Sequence, residues 1–251
     1  MRPTFIEVSL ENLRYNLELI RNHTNNRPLM AVVKSNAYGH GMLRVAKLYE
    51  KLGVNCLGVA LLEEGIVLRE SGITLPIVVF GGVLKKQIPA YLEWNLEFFV
   101  SSSGVLREME RICKSCGQQA IIHLKIDSGM GRVGTIAANS AGFIEEAVRA
   151  QHVTIKGVCS HLACADDPKD PMTIEQVDRF LTAISVFERL GAPMPLRHLA
   201  NSAGVLYFPH SHLDLIRPGI LLYGVYPESS CPHVLDVRPA LQLKSQVSFH
   251  K

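Results

Sequence analysis

Long apolar runs are what this chain most plainly lacks. Charged residues interrupt every hydrophobic stretch well short of bilayer-spanning length, so no transmembrane helix is predicted. The opening MRPTFIEVSL has neither the apolar core nor the small-residue cleavage site of a secretory signal. Charge of one sign is equally scarce: 26 basic and 23 acidic residues leave a formal net charge of +3. With no long basic run, neither nucleic acid nor a membrane surface is an expected partner. Six cysteines in 251 residues are too dilute for a disulfide scaffold. The single CxxC, Cys113 to Cys116, lies in a helical pattern without a second half, so packing is expected there rather than zinc or redox chemistry. Together these absences predict a soluble cytoplasmic protein. No GxGxxG follows the first strand of the repeating part, which argues against an open dinucleotide-binding sheet.

What is present is a repeat of short β-rich apolar runs, polar loops and helical stretches. The predicted strands are 29–34, 55–60, 76–81, 97–101, 120–126, 156–160, 196–200 and 213–217. Helical periodicity fills most gaps, at 62–71, 103–115, 139–150 and 173–190, with shorter pieces near 85–93 and 203–207. Eight near-continuous apolar strands alternating with helices predict a parallel sheet covered on its outer face. The α/β class is therefore expected as a (β/α)8 TIM-type barrel, spanning residues 1–225. Before the first barrel strand, residues 4–8 read as a short strand, and Ser9 with Glu11 opens a helix to about Asn22. After it, residues 226–251 read as a connector and the start of a C-terminal β domain, because RPALQLKSQVSFHK alternates like a half-buried antiparallel strand. Either residues 4–8 pair with that strand or the natural chain continues; truncation is the expectation.

In such a barrel the reactive groups sit where strands end. The first strand ends in AVVKSNAYGHG, a lysine followed by a turn-forming run. A lysine so placed is either a salt-bridged core residue or a nucleophile, and the dense polar loop after Lys34 favours the second. The fifth strand ends in KIDSGMGRVG, with Lys125, Asp127 and Arg132. The sixth ends at His161, the seventh at Asn201 and Ser202, and the eighth at Arg217. All should meet at one mouth. Ser202, the N–H groups of Gly219 and Ile220 after Pro218, and the Tyr38 phenol are suited to a phosphate, so a phosphorylated aldehyde would present its carbonyl to Lys34.

The motifs AVVKSNAYGHG, HLKIDSGMGRVG, GVCSHLACADD, RHLANSAG and IRPGILLYG together resemble alanine racemase, from about residue 2 to the chain end. The resemblance implies pyridoxal 5'-phosphate (PLP) as cofactor, interconversion of L- and D-alanine, and D-alanine supply for the cell wall. By position, Lys34 matches the lysine that carries the cofactor and acts as base on one face of the substrate. Tyr38, Ser202, Gly219 and Ile220 match phosphate ligands, with Asn201 beside them in the cofactor site. His161 matches the imidazole against the pyridine ring, and Arg217 the donor to the ring nitrogen. Arg132 matches the arginine near the substrate carboxylate, and His198 a residue linking Arg217 to its surroundings. Lys125 matches a position that is often carbamylated. Unmodified, it would repel Arg132 by about 4 kcal/mol at ~4 Å and an effective dielectric near 20, so carbamylation is expected.

The family also implies a second base, a tyrosine from a β-rich C-terminal domain that serves the partner subunit in a homodimer with shared active sites. Tyr223 and Tyr226 do not match it. The isolated chain is therefore expected to racemise poorly. Two alternatives stay open: a single-domain PLP-binding protein with a homeostatic role, and a serine or broad-specificity amino-acid racemase.

Overall fold

The computed structural model describes residues 3–228 and 232–249, so residues 229–231 of the predicted connector and residues 250–251 of the predicted last strand lie outside the described residues. Seven parallel strands form the barrel wall in the order β2 (Met30–Val32), β3 (Cys56–Val59), β4 (Ile77–Val79), β5 (Glu97–Val100), β6 (Ala120–Asp127), β8 (Val153–Cys159) and β9 (Leu196–His198). Every residue of β2 to β5 is buried, as a sheet covered on both faces requires. A two-residue strand, β7 (Thr135–Ile136), pairs only with β6.

The eighth stave closes the barrel without forming a regular strand. The Met30 N–H donates to the Ile216 carbonyl and the Ile216 N–H to Pro28, while on the other side the Arg217 N–H donates to Ala200. The bridge between Leu29 and Ile216 is parallel. Pro218 has no N–H to extend the ladder, so the predicted strand at 213–217 survives as a single bridge between β9 and β2.

The helices cover the outside. Residues 10–23 form the first, and the Ser9 hydroxyl caps it by accepting from the Asn12 N–H at 3.1 Å, as the sequence predicts. The predicted helices appear at 62–70, 103–116, 141–149 and 172–184, the last followed by a separate turn at 186–189. One helix is absent from the sequence reading, Met42–Lys51, although its buried Met42, Val45, Ala46 and Tyr49 recur at helical spacing. The polar loop before it masked that period.

At the periphery, β1 (Phe5–Val8) pairs antiparallel with β10 (Leu241–Lys244). The first strand thus finds its partner at the other end of the chain. The expectation of a half-buried strand over 238–251 is corrected: the ladder covers only four residues, three of them exposed, and Leu243 is 71% exposed. Its alternation reflects a face on which no other described element packs. Asn16 ties this region to the barrel, its amide donating to the Leu222 and Arg238 carbonyls and accepting from the Arg238 N–H.

Candidate active site

Where β2 ends, the backbone changes hand. Ser35, Asn36, Ala37 and Tyr38 have φ of 55°, 54°, 55° and 52°, and Gly39 follows at 87°. Four consecutive L-residues in a left-handed turn cost about 1–2 kcal/mol each, so neighbours must hold them there. Glu64 does so from the next βα unit: its carboxylate accepts from the Ser35, Ala60 and Leu61 N–H groups. The Asn36 side chain accepts from the Met42 N–H, and Ala37 is fully buried. Lys34, the residue before this turn, is thereby set at the barrel mouth with its Nζ 5.9 Å from the Tyr38 ring centre.

A cavity of about 510 Å³ opens there, and ten of the eleven sequence-predicted residues line it: Lys34, Tyr38, Lys125, Arg132, His161, Asn201, Ser202, Arg217, Gly219 and Ile220. His198 lies beneath, fully buried. Val32, Ala60, Phe80 and Phe99 supply apolar lining, the two phenyl rings stacked with centres 5.0 Å apart.

One wall consists of hydroxyls and backbone. The Ser202 hydroxyl accepts from the Gly219 N–H at 2.9 Å and the Leu221 N–H at 3.3 Å, joining the loops after β9 and after the eighth stave. Ile220 opens a one-turn 3₁₀ helix, Ile220–Tyr223. A Cβ at Gly219 would lie 2.4 Å from the Tyr38 hydroxyl, so glycine is what permits the phenol to approach this backbone. Asn201 is engaged at both ends of its amide, capping the helix Ser202–Tyr207 through the Gly204 N–H and donating to the Leu162 carbonyl. Its role in the fold is thus to aim Ser202.

The opposite wall is cationic. Burial chiefly, with Arg217 and Arg132 adding to it, pushes the Lys125 ammonium down to about 8. Burial, then Arg217, Lys125, Arg132 and Lys34, hold His161 well below the ordinary imidazole range, which makes it neutral. Arg132 sits exposed at the rim, carried by a loop that Asp127 organises by accepting from the Gly129 and Gly131 N–H groups. Buried Arg217 donates from Nη1 to His198 Nδ1 at 2.9 Å, and from Nη2 to the Ser160 and Leu199 carbonyls and to His161 Nδ1. Among the described residues none accepts from its Nε–H, a donor left for an acceptor in the cavity.

Both tyrosines set aside in the sequence are committed elsewhere. The Tyr223 hydroxyl, buried, donates to the Val32 carbonyl at 2.9 Å; that of Tyr226 donates to the Leu235 carbonyl. Sequence reasoning missed Glu64 and Glu97, which carry no motif of their own, and gave no role to His123, the first residue of HLKIDSGMGRVG. A glutamate opening the largely apolar predicted strand 97–101 was the available signal for Glu97.

A closed α/β barrel with a strand-end lysine, a hydroxyl-lined anion cradle and a buried arginine at one mouth defines the class: a TIM-type barrel protein built to hold an anionic small molecule beside an amine. Residues 8–227 match the alanine racemase N-terminal domain family. The chain is 38% identical over its whole length to 67% of an alanine racemase from Symbiobacterium thermophilum, and 36% identical over its whole length to 65% of alanine racemase 2 from Caldanaerobacter subterraneus. A solved alanine racemase from Clostridium difficile 630, in complex with cycloserine, superimposes with a TM-score of 0.95 at 35% identity, covering 99% of this chain and 69% of that one. The chain belongs to the alanine racemase family, and it spans about two thirds of the length of these relatives.

Proposed function

We propose that the full-length gene product is a PLP-dependent alanine racemase and that this chain supplies its cofactor-binding barrel, residues 1–225, with 226–251 leading into a C-terminal β domain. The observation that carries this reading is the union, in one cavity, of the Tyr38–Ser202–Gly219 cradle with the free Nε–H of Arg217. The cradle fits a phosphate, and the guanidinium donor fits the nitrogen of a pyridine ring. When bound, the cofactor supplies an electron-withdrawing ring that makes the substrate Cα proton removable.

Lys34 is the amine that would hold the cofactor's aldehyde carbon and, once displaced by the substrate amine, take or return the proton at Cα on one face. Tyr38, Ser202, Gly219 and Ile220 would bind the phosphate, and neutral His161 would lie against the ring. Arg217 cannot give up its proton at working pH, so it would hold the ring nitrogen as an acceptor and restrain its electron demand. Arg132, at the rim, would bind the substrate carboxylate.

Lys125 is the proposed carbamate. With its amine titrating at about 8, a useful fraction is neutral near pH 7 and can attack carbon dioxide. The nitrogen lone pair forms the N–C bond, one C–O π bond opens, and the amine proton passes to water. The resulting anion would turn a repulsion with Arg132 into an attraction.

Tyr38 is the one tyrosine lining the described cavity, and it is claimed by the cradle. The proton on the other face of Cα therefore calls for a group from outside this barrel. A second subunit in a homodimer is the proposed source. Borohydride reduction of the PLP-loaded full-length protein should fix the cofactor on Lys34, and the Lys34→Ala variant should lose alanine racemisation by at least about 10³-fold. An adduct on any other lysine overturns the reading. Relative kcat/KM for alanine and serine decides the substrate.

A further inference from the structure

A chain of buried polar groups leaves the cavity at Arg217 and crosses the barrel interior. Arg217 Nη1 meets His198 Nδ1 at 2.9 Å on β9, and His198 Nε2 meets His123 Nδ1 at 2.9 Å on β6. His123 Nε2 then meets Glu97 Oε2 at 2.9 Å on β5, whose other oxygen accepts from Lys156 on β8. Arg217, His198, His123 and Glu97 are each at most 5% exposed. Room for the contact between the imidazoles is made by Gly157, where a Cβ would lie 2.2 Å from His123 Nδ1 and 2.9 Å from His198 Nε2.

The two ends dictate the direction of every hydrogen bond. Arginine only donates, so His198 Nδ1 accepts and its proton sits on Nε2. That proton points at His123 Nδ1, which must accept, so His123 carries its own proton on Nε2 and donates it to Glu97. Burial raises the Glu97 carboxyl, but the hydrogen bonds from His123 and Lys156 and the charge of Lys156 outweigh it and keep the group ionised, an acceptor at both oxygens. Burial also keeps both imidazoles below their ordinary range, and neutral rings are what the chain requires.

We propose that Glu97 and His123 are positioning residues that act through His198: they fix both imidazole tautomers so that Arg217 is anchored on the side away from the cavity and offers its Nε–H toward it. The link to catalysis rests on the cofactor reading above; the tautomers do not.

Glu97→Gln tests this sharply. Lys156 can bond only to the amide oxygen, which turns the amide nitrogen toward His123. Both rings must then reverse, and His198 presents an N–H to Arg217. The double variant with Lys156→Met releases the amide to accept from His123 again. In the histidine-¹⁵N-labelled full-length gene product, NMR at pH 7.5 should show His123 and His198 neutral with the proton on Nε2, both switched to Nδ1 in Glu97→Gln, and both restored in the double variant. Lys156→Met alone should leave both as in the parent. With PLP and alanine, kcat of Glu97→Gln should fall about tenfold at nearly unchanged KM and recover in the double variant.

An Nδ1 proton on His198 in the parent, rings unmoved in Glu97→Gln, or a switched ring in Lys156→Met overturns the proposal. So does a kcat that stays low after the tautomers are restored. Should Glu97→Gln fail to fold, the parent and Lys156→Met spectra still decide it. The expected tautomers in a protein without PLP-dependent racemisation would instead overturn the proposed function and leave the buried chain supported.

Discussion

The two walls of the cavity are both unfavourable in the protein alone, but for opposite reasons. The Tyr38–Ser202–Gly219 wall is electrically neutral and conformationally strained: a left-handed turn is held in place by Glu64. The wall of Lys125, Arg132, His161 and Arg217 contains no such turn but gathers cations, and burial first, then the neighbouring arginines, lowers Lys125 to about 8. A dianionic ligand suits the first wall, where neutral donors converge, and further negative charge suits the second. Sites are often maintained at a cost to stability, and here that cost takes two physical forms.

That contrast predicts stability changes of opposite sign. The largest effect is expected at Lys125. Its ammonium titrates at about 8 in the folded chain against 10.5 when unperturbed. Between those values the unfolded chain binds a proton that the folded chain does not, so stability rises with pH from about 8 to 10.5. Below pH 8 the full penalty, about 3 kcal/mol, is present. Lys125→Met should therefore be more stable than the parent at pH 7 in bicarbonate-free buffer, by up to about 3 kcal/mol in urea denaturation. The gap should narrow toward pH 10.5 and on addition of bicarbonate. A less stable variant breaks the comparison.

Glu64→Gln should act the other way. One amide oxygen cannot serve all three N–H groups that the carboxylate holds, so the fold should lose about 1–3 kcal/mol, with the Ser35 and Ala60 amides exchanging faster with deuterium. Smaller still is Gly219→Ala. Its Cβ displaces only the far end of the Tyr38 side chain, so stability should hardly change, while the dissociation constant for PLP, read by fluorescence quenching, rises about tenfold, or about 1.4 kcal/mol. Tyr38→Phe in the same background should bring no further loss of affinity.

The barrel was legible because its strands are nearly continuous apolar runs, and buried parallel strands carry that signature. The site was legible because strand ends converge in this architecture, so Lys34, Lys125, His161, Ser202 and Arg217 could be assigned to one mouth from order alone. Asn201 shows what order leaves out: it lines the cavity, and its amide also caps the helix that carries Ser202. Helix Met42–Lys51 was missed because the turn before it hides the start of its apolar period. The β1–β10 ribbon was half legible, since alternation reveals a strand but not whether anything covers it.

Residue order alone thus determined the barrel, its mouth and the set of polar groups there, because hydrophobic periodicity and strand ends are local properties. The tertiary structure decided the rest. The hand of the turn after Lys34 depends on Glu64 from another βα unit, the protonation of Lys125 on burial and on Arg217 from the eighth stave, and the link from Arg217 to Lys156 on five separate barrel staves. Each of these joins groups far apart in the chain, and only folding sets the distance and the dielectric between them.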